Sequence, residues 1–190
     1  MQTSLVTLFG PGAVVVEAQT TLVDADLFPE ERAYLANAAP ARRSEFGTAR
    51  VCARRALARL GIGPTPLVPR SDRAPVWPTG VVGSITHTSS YCAVVLHRSP
   101  PMHSVGVDAE SLQRVEPSVR ELILLPAERA WIATRDASRC DDLSLLLFSA
   151  KEAYYKCQYP VTGVTLGFRD VQIEIDESAR HFRAIASAAQ

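Results

Sequence analysis

Between Leu60 and Gly80 the chain reads LGIGPTPLVPRSDRAPVWPTG, and no regular element survives that punctuation. Proline supplies no N–H to a helix or sheet, and Pro64, Pro66, Pro69, Pro75 and Pro78 recur too closely for either interior. The stretch is long for a plain connector, which predicts a functional or mobile loop. A second break, RSPPMHS at 98–104, sets off the remainder of the chain. Elements must therefore form in separate blocks around these two interruptions.

In the first block, residues 3–9 and 13–17 read as short strands around Gly10-Pro11-Gly12. FPEERAYLANA (28–38) is helical in pattern, and Pro40 opens a longer helix to Leu60. VVGSI (81–85) and YCAVVL (91–96) read as neighbouring strands. Beyond the second break the pattern predicts a strand at 105–109, helices at 117–125, 126–136 and 142–158, and strands at 164–175 and 181–187. Strands and helices thus occur on both sides of the boundary. The expected class is α+β, in two similar halves at 1–103 and 104–190, without a sequence repeat strong enough to prove the likeness.

Composition narrows the function. With 20 basic and 20 acidic residues the formal charge is zero, which disfavours a general nucleic-acid binder while allowing a local anionic pocket. Cys52, Cys92, Cys140 and Cys157 form no CxxC pair and read as thiols of a reducing compartment. Neither a targeting signal nor a membrane-spanning run is evident, so the expected location is cytoplasmic, with no membrane partner.

Three stretches carry chemistry. VGVDAE (105–110) ends an apolar run with Asp108 and Glu110, which would share one face of a strand and repel unless a cation or hydrogen-bond donors compensate. FSAKEAYYKC (148–157) holds both lysines of the chain, Lys151 and Lys156, against eighteen arginines elsewhere. Glu152 and Lys156 are spaced i,i+4 on one helix face. Asp108, Glu110 and Glu152 together make an all-oxygen donor set that suits Mg²⁺ and a phosphorylated ligand, with Mn²⁺ as a substitute. GSITHTSS (83–90) sets His87 among small hydroxyls, Ser84 and Thr86 included, as an oxyanion or phosphate cradle would. Upstream, ARRSEFGTARVCARRALARLG (41–61) carries six arginines against one acid, Glu45, with Arg43, Arg50 and Arg54 near one face; Arg73 lies in the proline-rich loop. Taken singly, each stretch also has an ordinary explanation: an acidic turn, a surface ion pair, a buried histidine, a solvated basic face.

The chain resembles the phosphopantetheinyl transferases of the enterobactin-synthetase-component-D and surfactin-type group. The resemblance rests on PVWPTGVVGSITHTSSYCA (75–93), VGVDAE (105–110), FSAKEAYYKC (148–157) and ARRSEF followed by ARVCARRAL (41–57), in the family's order. It implies two pseudo-symmetric α/β halves packed as a monomer around a central cleft that takes coenzyme A. It implies transfer of the 4′-phosphopantetheine arm to a serine of an apo acyl, peptidyl or aryl carrier protein, releasing 3′,5′-ADP. Asp108, Glu110 and Glu152 are then the magnesium ligands, with Glu152 also the base for the incoming serine. His87 contacts a phosphate, with Ser84 and Thr86 lining that strand end. Lys156 and Lys151 stand at the pyrophosphate, while Arg43, Arg50 and Arg73 hold the adenine and 3′-phosphate end. The family often has Gly-Arg where Ala49-Arg50 stand here, and Ser where Ala153 stands. The end after HFRAIASAAQ looks short for the group.

Two other readings use the same carboxylates. A magnesium-dependent phosphohydrolase or nuclease would activate water instead of a serine, but it leaves His87 and the arginine helix unexplained. A non-catalytic coenzyme A or carrier-binding module would predict a disrupted acidic triad. Carrier docking is expected on apolar surface of the second half, with Leu122, Leu125 and Trp131 as candidates, although the core is the commoner place for any one of them. Whether the pathway makes a siderophore, polyketide, nonribosomal peptide or fatty acid is not legible.

Overall fold

The computed structural model describes residues 5–20 and 27–186. The chain is α+β and divides into two compact units, Met1–Ala109 and Glu110–Gln190.

In the first unit a 3-10 turn at Leu5–Leu8 precedes β1 (Val14–Gln19), α1 (Pro29–Tyr34), α2 (Pro40–Arg59), β2 (Val81–His87) and β3 (Tyr91–Arg98). The strands form one antiparallel sheet in the order β1-β3-β2. Central β3 is buried on both faces, which is why Cys92–Leu96 is a continuous apolar run instead of an alternating one. Cys92, Val94 and Leu96 face α2, where Ala49, Ala53 and Ala56 let the helix lie close to the sheet. Val95 faces the other way, onto Val15 and Val107.

Two side chains close this unit. Gly83 lies between Leu96 and the Trp77 ring, whose Nε1 donates to the Gly83 carbonyl at 2.9 Å. A Cβ at Gly83 would stand 2.3 Å from Leu96 Cδ2 and 2.9 Å from Trp77 Cε2. Glu31, fully buried on α1, accepts from the Phe28 N–H at 3.0 Å, the Leu67 N–H at 2.9 Å and Arg54 Nη1 at 2.9 and 3.0 Å. The start of α1, the middle of α2 and the proline-rich loop are thereby joined at one carboxylate. Leu67 enters the core, its carbonyl takes Arg50 Nε at 2.6 Å, and Pro69 bridges Pro75. The loop is irregular, as its prolines require, and it is anchored.

The second unit holds α3 (Pro117–Ile123), α4 (Pro126–Ala133), a 3-10 turn at Ala137–Arg139, α5 (Cys140–Thr162) and the antiparallel hairpin β4 (Val171–Asp176) and β5 (His181–Ala186). Leu143, Leu147 and Ala150 make a stripe at i, i+4, i+7 along α5 that packs on Ile123, Leu124, Ile132, Val171 and Ile173. Gly163, at φ 68°, ends α5 in the left-handed conformation that glycine adopts without a Cβ penalty. Glu128 repeats the part of Glu31. It accepts from the Leu125 N–H at 2.7 Å and the Ile173 N–H at 2.8 Å, and it pairs with Lys151 Nζ at 2.8 Å. FPEERAY (28–34) and LPAERAW (125–131) are thus a short repeat with one structural role.

Several expected elements differ. The turn at Leu5–Leu8 is 3-10, not strand, and residues 3–4 and 187 lie outside the described residues. The last helix runs on past Pro160, and the strand expected over 164–175 begins only at Val171. Residues 105–109 form no strand. Their Val107 packs on the sheet face opposite α2, and the Val107 and Ala109 N–H groups are taken by the Ser84 and Thr86 hydroxyls at 3.1 and 2.9 Å. Side-chain oxygens at i and i+2 of β2 replace the backbone carbonyls of a ladder.

Two substitutions check this account by urea denaturation. Gly83→Ala lowers stability by about 1–3 kcal/mol through overpacking. Arg54→Met, which leaves the Glu31 carboxylate buried without its cation, costs about 3–5 kcal/mol.

Candidate functional site

In the first unit the candidate side chains gather at the end of β2 and the first turns of α2. Pro40 starts α2 and sets Arg42 and Glu45 three residues apart, so both reach the strand end. His87 Nε2 lies 3.2 Å from Arg42 Nη1, and its Nδ1 lies 3.6 Å from Glu45 Oε2. A guanidinium has only donors. Nε2 therefore accepts, and Nδ1 carries its hydrogen toward Glu45. The imidazole is oriented from both sides, with about 30% of the side chain exposed.

Behind His87, Thr86 is buried, and its hydroxyl both accepts from the Ala109 N–H and donates to Asp108 Oδ1 at 3.3 Å. Asp108 is held by the strand that carries His87. Glu110 comes next as the exposed first residue of the second unit.

In the second unit α5 presents Glu152 and Lys156 one turn apart, both half-buried. Glu152 borders a cavity of about 270 Å³ whose wall is mostly apolar: Tyr154, Tyr155, Leu166, Phe168 and Val171. Among the described residues no group of three or more His, Cys, Asp or Glu side chains is gathered closely enough to hold a metal ion. The three carboxylates are nonetheless all hard oxygen donors, the chemistry that Mg²⁺ selects.

Comparison with known proteins decides the relationship. Residues 30–97 match the 4′-phosphopantetheinyl transferase N-terminal domain, and residues 104–188 match the 4′-phosphopantetheinyl transferase superfamily. The chain belongs to that superfamily. The 4′-phosphopantetheinyl transferase Svp of Streptomyces mobaraensis is 45% identical over 159 residues, which is 83% of this chain and 65% of that protein. Npt of Nocardia iowensis is 39% identical over 80% of this chain and 68% of its own length. PptT of Mycobacterium tuberculosis is 41% identical over 78% of this chain and 65% of its own length. The chain thus spans about two thirds of the length of the curated relatives it matches.

Several contacts expected of the family are used differently here. Ser84 and Thr86, expected to line a phosphate cradle, are buried and hold residues 107–109. Lys151, expected at the pyrophosphate, is buried, and its three donors meet Glu128, the Ile123 carbonyl at 2.8 Å and the Phe168 carbonyl at 2.7 Å. Burial lowers its pKa, partly offset by Glu128. Arg50 is buried as well. Its guanidinium lies 3.9 Å from the Phe46 ring centroid, and desolvation lowers its pKa to about 10 against the opposing pull of Glu31. Arg43 Nε reaches the Leu35 carbonyl at 3.4 Å, and Arg73 is exposed at a turn with φ 68°. Arg42 and Glu45 are the site residues that sequence reasoning missed; their i,i+3 spacing at a helix start was the available signal. Leu122 is 69% exposed, whereas Trp131 packs against the core of its unit.

Thr86→Val removes both roles of that hydroxyl at nearly constant volume. It leaves the Ala109 N–H without its acceptor, and stability falls by about 1–3 kcal/mol in chemical denaturation, with Thr86→Ser milder.

Proposed function

We propose that this protein transfers the 4′-phosphopantetheine group of coenzyme A to a serine hydroxyl of an apo acyl, peptidyl or aryl carrier protein, releasing 3′,5′-ADP. The observation that carries the reading is the match of two family models in order, at residues 30–97 and 104–188, with the resemblance motifs inside them. The serine oxygen forms a bond to the phosphorus that bears the pantetheine arm. The bond from that phosphorus to the oxygen bridging to the nucleotide breaks, and the serine proton passes to Glu152.

The chain's own groups divide the work. His87 and Arg42 at the end of β2 stand for a phosphate, with the remaining N–H groups of Arg42 as its donors, and Arg43 and Arg73 stand for the nucleotide end, with buried Arg50 supporting the helix and loop behind them. Lys156 neutralises charge on the 5′-phosphate of the departing 3′,5′-ADP. The mostly apolar cavity beside Glu152 suits an uncharged arm. Asp108, Glu110 and Glu152 would hold Mg²⁺, whose charge would neutralise and orient the diphosphate, with Mn²⁺ as a substitute. Positioning and electrostatics supply most of what such a phosphoryl-type transfer requires.

The four cysteines form no disulfide, which suits a reducing compartment such as the cytoplasm; the protein would act there as a monomer on a soluble carrier. Among the described residues no helix is long and apolar enough to cross a membrane.

Intact mass of an apo carrier after incubation with this protein, coenzyme A and Mg²⁺ tests the reading. One phosphopantetheine is gained with the unaltered protein. The gain falls at least about 100-fold with Glu152→Ala and vanishes with chelator. Several carrier types left unmodified while coenzyme A binds would instead identify a binding module.

A further inference from the structure

Lys151, paired with Glu128 in the interior, directly precedes Glu152 on α5, and the geometry points to Glu128 as a positioning residue for the Glu152 carboxylate. The inference rests on the function proposed above. It starts from an anomaly: one of only two lysines is fully enclosed, in a chain that otherwise uses arginine.

The enclosure has a geometric reason. An ammonium carries three donors on a compact head, and each of the three has an acceptor here. They are Glu128 Oε2 on α4, the Ile123 carbonyl at the end of α3 and the Phe168 carbonyl in the segment before β4. Glu128 is held in turn by the Leu125 and Ile173 N–H groups. Four segments therefore fix the side chain next to Glu152 in sequence.

This anchoring acts on Glu152 in two ways. The rotation of α5 about its axis is set by the Lys151 side chain pointing inward, so Glu152, about 100° further round, is aimed along a fixed direction. Another part of the wall of its cavity, Leu166 to Phe168, is tied to the same ammonium through the Phe168 carbonyl. Glu128 thus governs both the aim of Glu152 and the width of the cavity it borders, without touching either ligand or metal. Supporting groups behind a metal-binding carboxylate act in this way.

The test is Mn²⁺ titration, read by electron paramagnetic resonance, of the full chain with coenzyme A present, alongside steady-state transfer to a carrier. Glu128→Gln weakens Mn²⁺ binding about 10- to 100-fold and lowers kcat similarly, with KM for coenzyme A within about threefold. Leu143→Ala, a core change in the same unit, lowers Tm while Mn²⁺ affinity and kcat per folded molecule stay near the unaltered values. Should Glu128→Gln not fold, Glu128→Met combined with Lys151→Met removes both charges together and is read in its place.

A folded Glu128→Gln protein with unaltered Mn²⁺ affinity overturns the inference. So does an equal loss of affinity in Leu143→Ala, which would mark a general effect of stability. An unaltered protein that neither binds Mn²⁺ nor modifies any carrier overturns the proposed function itself, and this inference with it.

Discussion

Each unit of this protein is organised around a buried carboxylate. Glu31 and Glu128 occupy the same place in their helices, three residues after the residue whose N–H they accept. Each meets a cation 23 residues further along, Arg54 or Lys151, on the long helix of its unit. Each also takes one N–H from a distant segment, Leu67 or Ile173. A buried charge is costly unless it is paired and its remaining lone pairs are bonded. Both carboxylates meet that condition, and the condition dictates which segments must converge.

The convergence explains how irregular chain becomes part of a site. The proline-rich loop supplies few backbone pairs of its own, yet Leu67 is held through its N–H and its carbonyl by Glu31 and Arg50. Residues 105–109 lie on the sheet without a strand partner, and the Ser84 and Thr86 hydroxyls supply the acceptors that a ladder would have offered. In both places a side chain replaces backbone pairing. Asp108 owes its position to the second substitution, since Thr86 binds the backbone on one side of it and its carboxylate as well.

Helices, central strands and chemistry-bearing motifs were legible in the sequence because period and punctuation are local. The long helix opened by Pro40 and the strands at 81 and 91 needed no tertiary information. What was not legible was the orientation of polar side chains. Ser84 and Thr86 read as donors for a ligand, because alternation along a strand does not say that another segment covers that face. Lys151 and Lys156 both read as contacts of the pyrophosphate, because spacing along a helix does not reveal which of two lysines points inward. The repeat FPEERAY/LPAERAW escaped notice for a related reason: its constant elements are a proline, a glutamate and Arg-Ala, and the glutamate's meaning depends on a cation 23 residues away.

The two nodes also differ in a way that separates their tasks. In the first unit the work is divided between two arginines: Arg54 meets the carboxylate, while Arg50 takes the loop carbonyl and stacks on Phe46. In the second unit one ammonium does both, bonding Glu128 and the Phe168 carbonyl together. A planar fork fixes a direction and needs room, whereas an ammonium gathers three acceptors around a point. The first arrangement holds a long loop over an extended helix face. The second draws three segments tightly against α5 one residue before Glu152. Lysine at position 151 therefore follows from the need to gather three acceptors from three segments around one point.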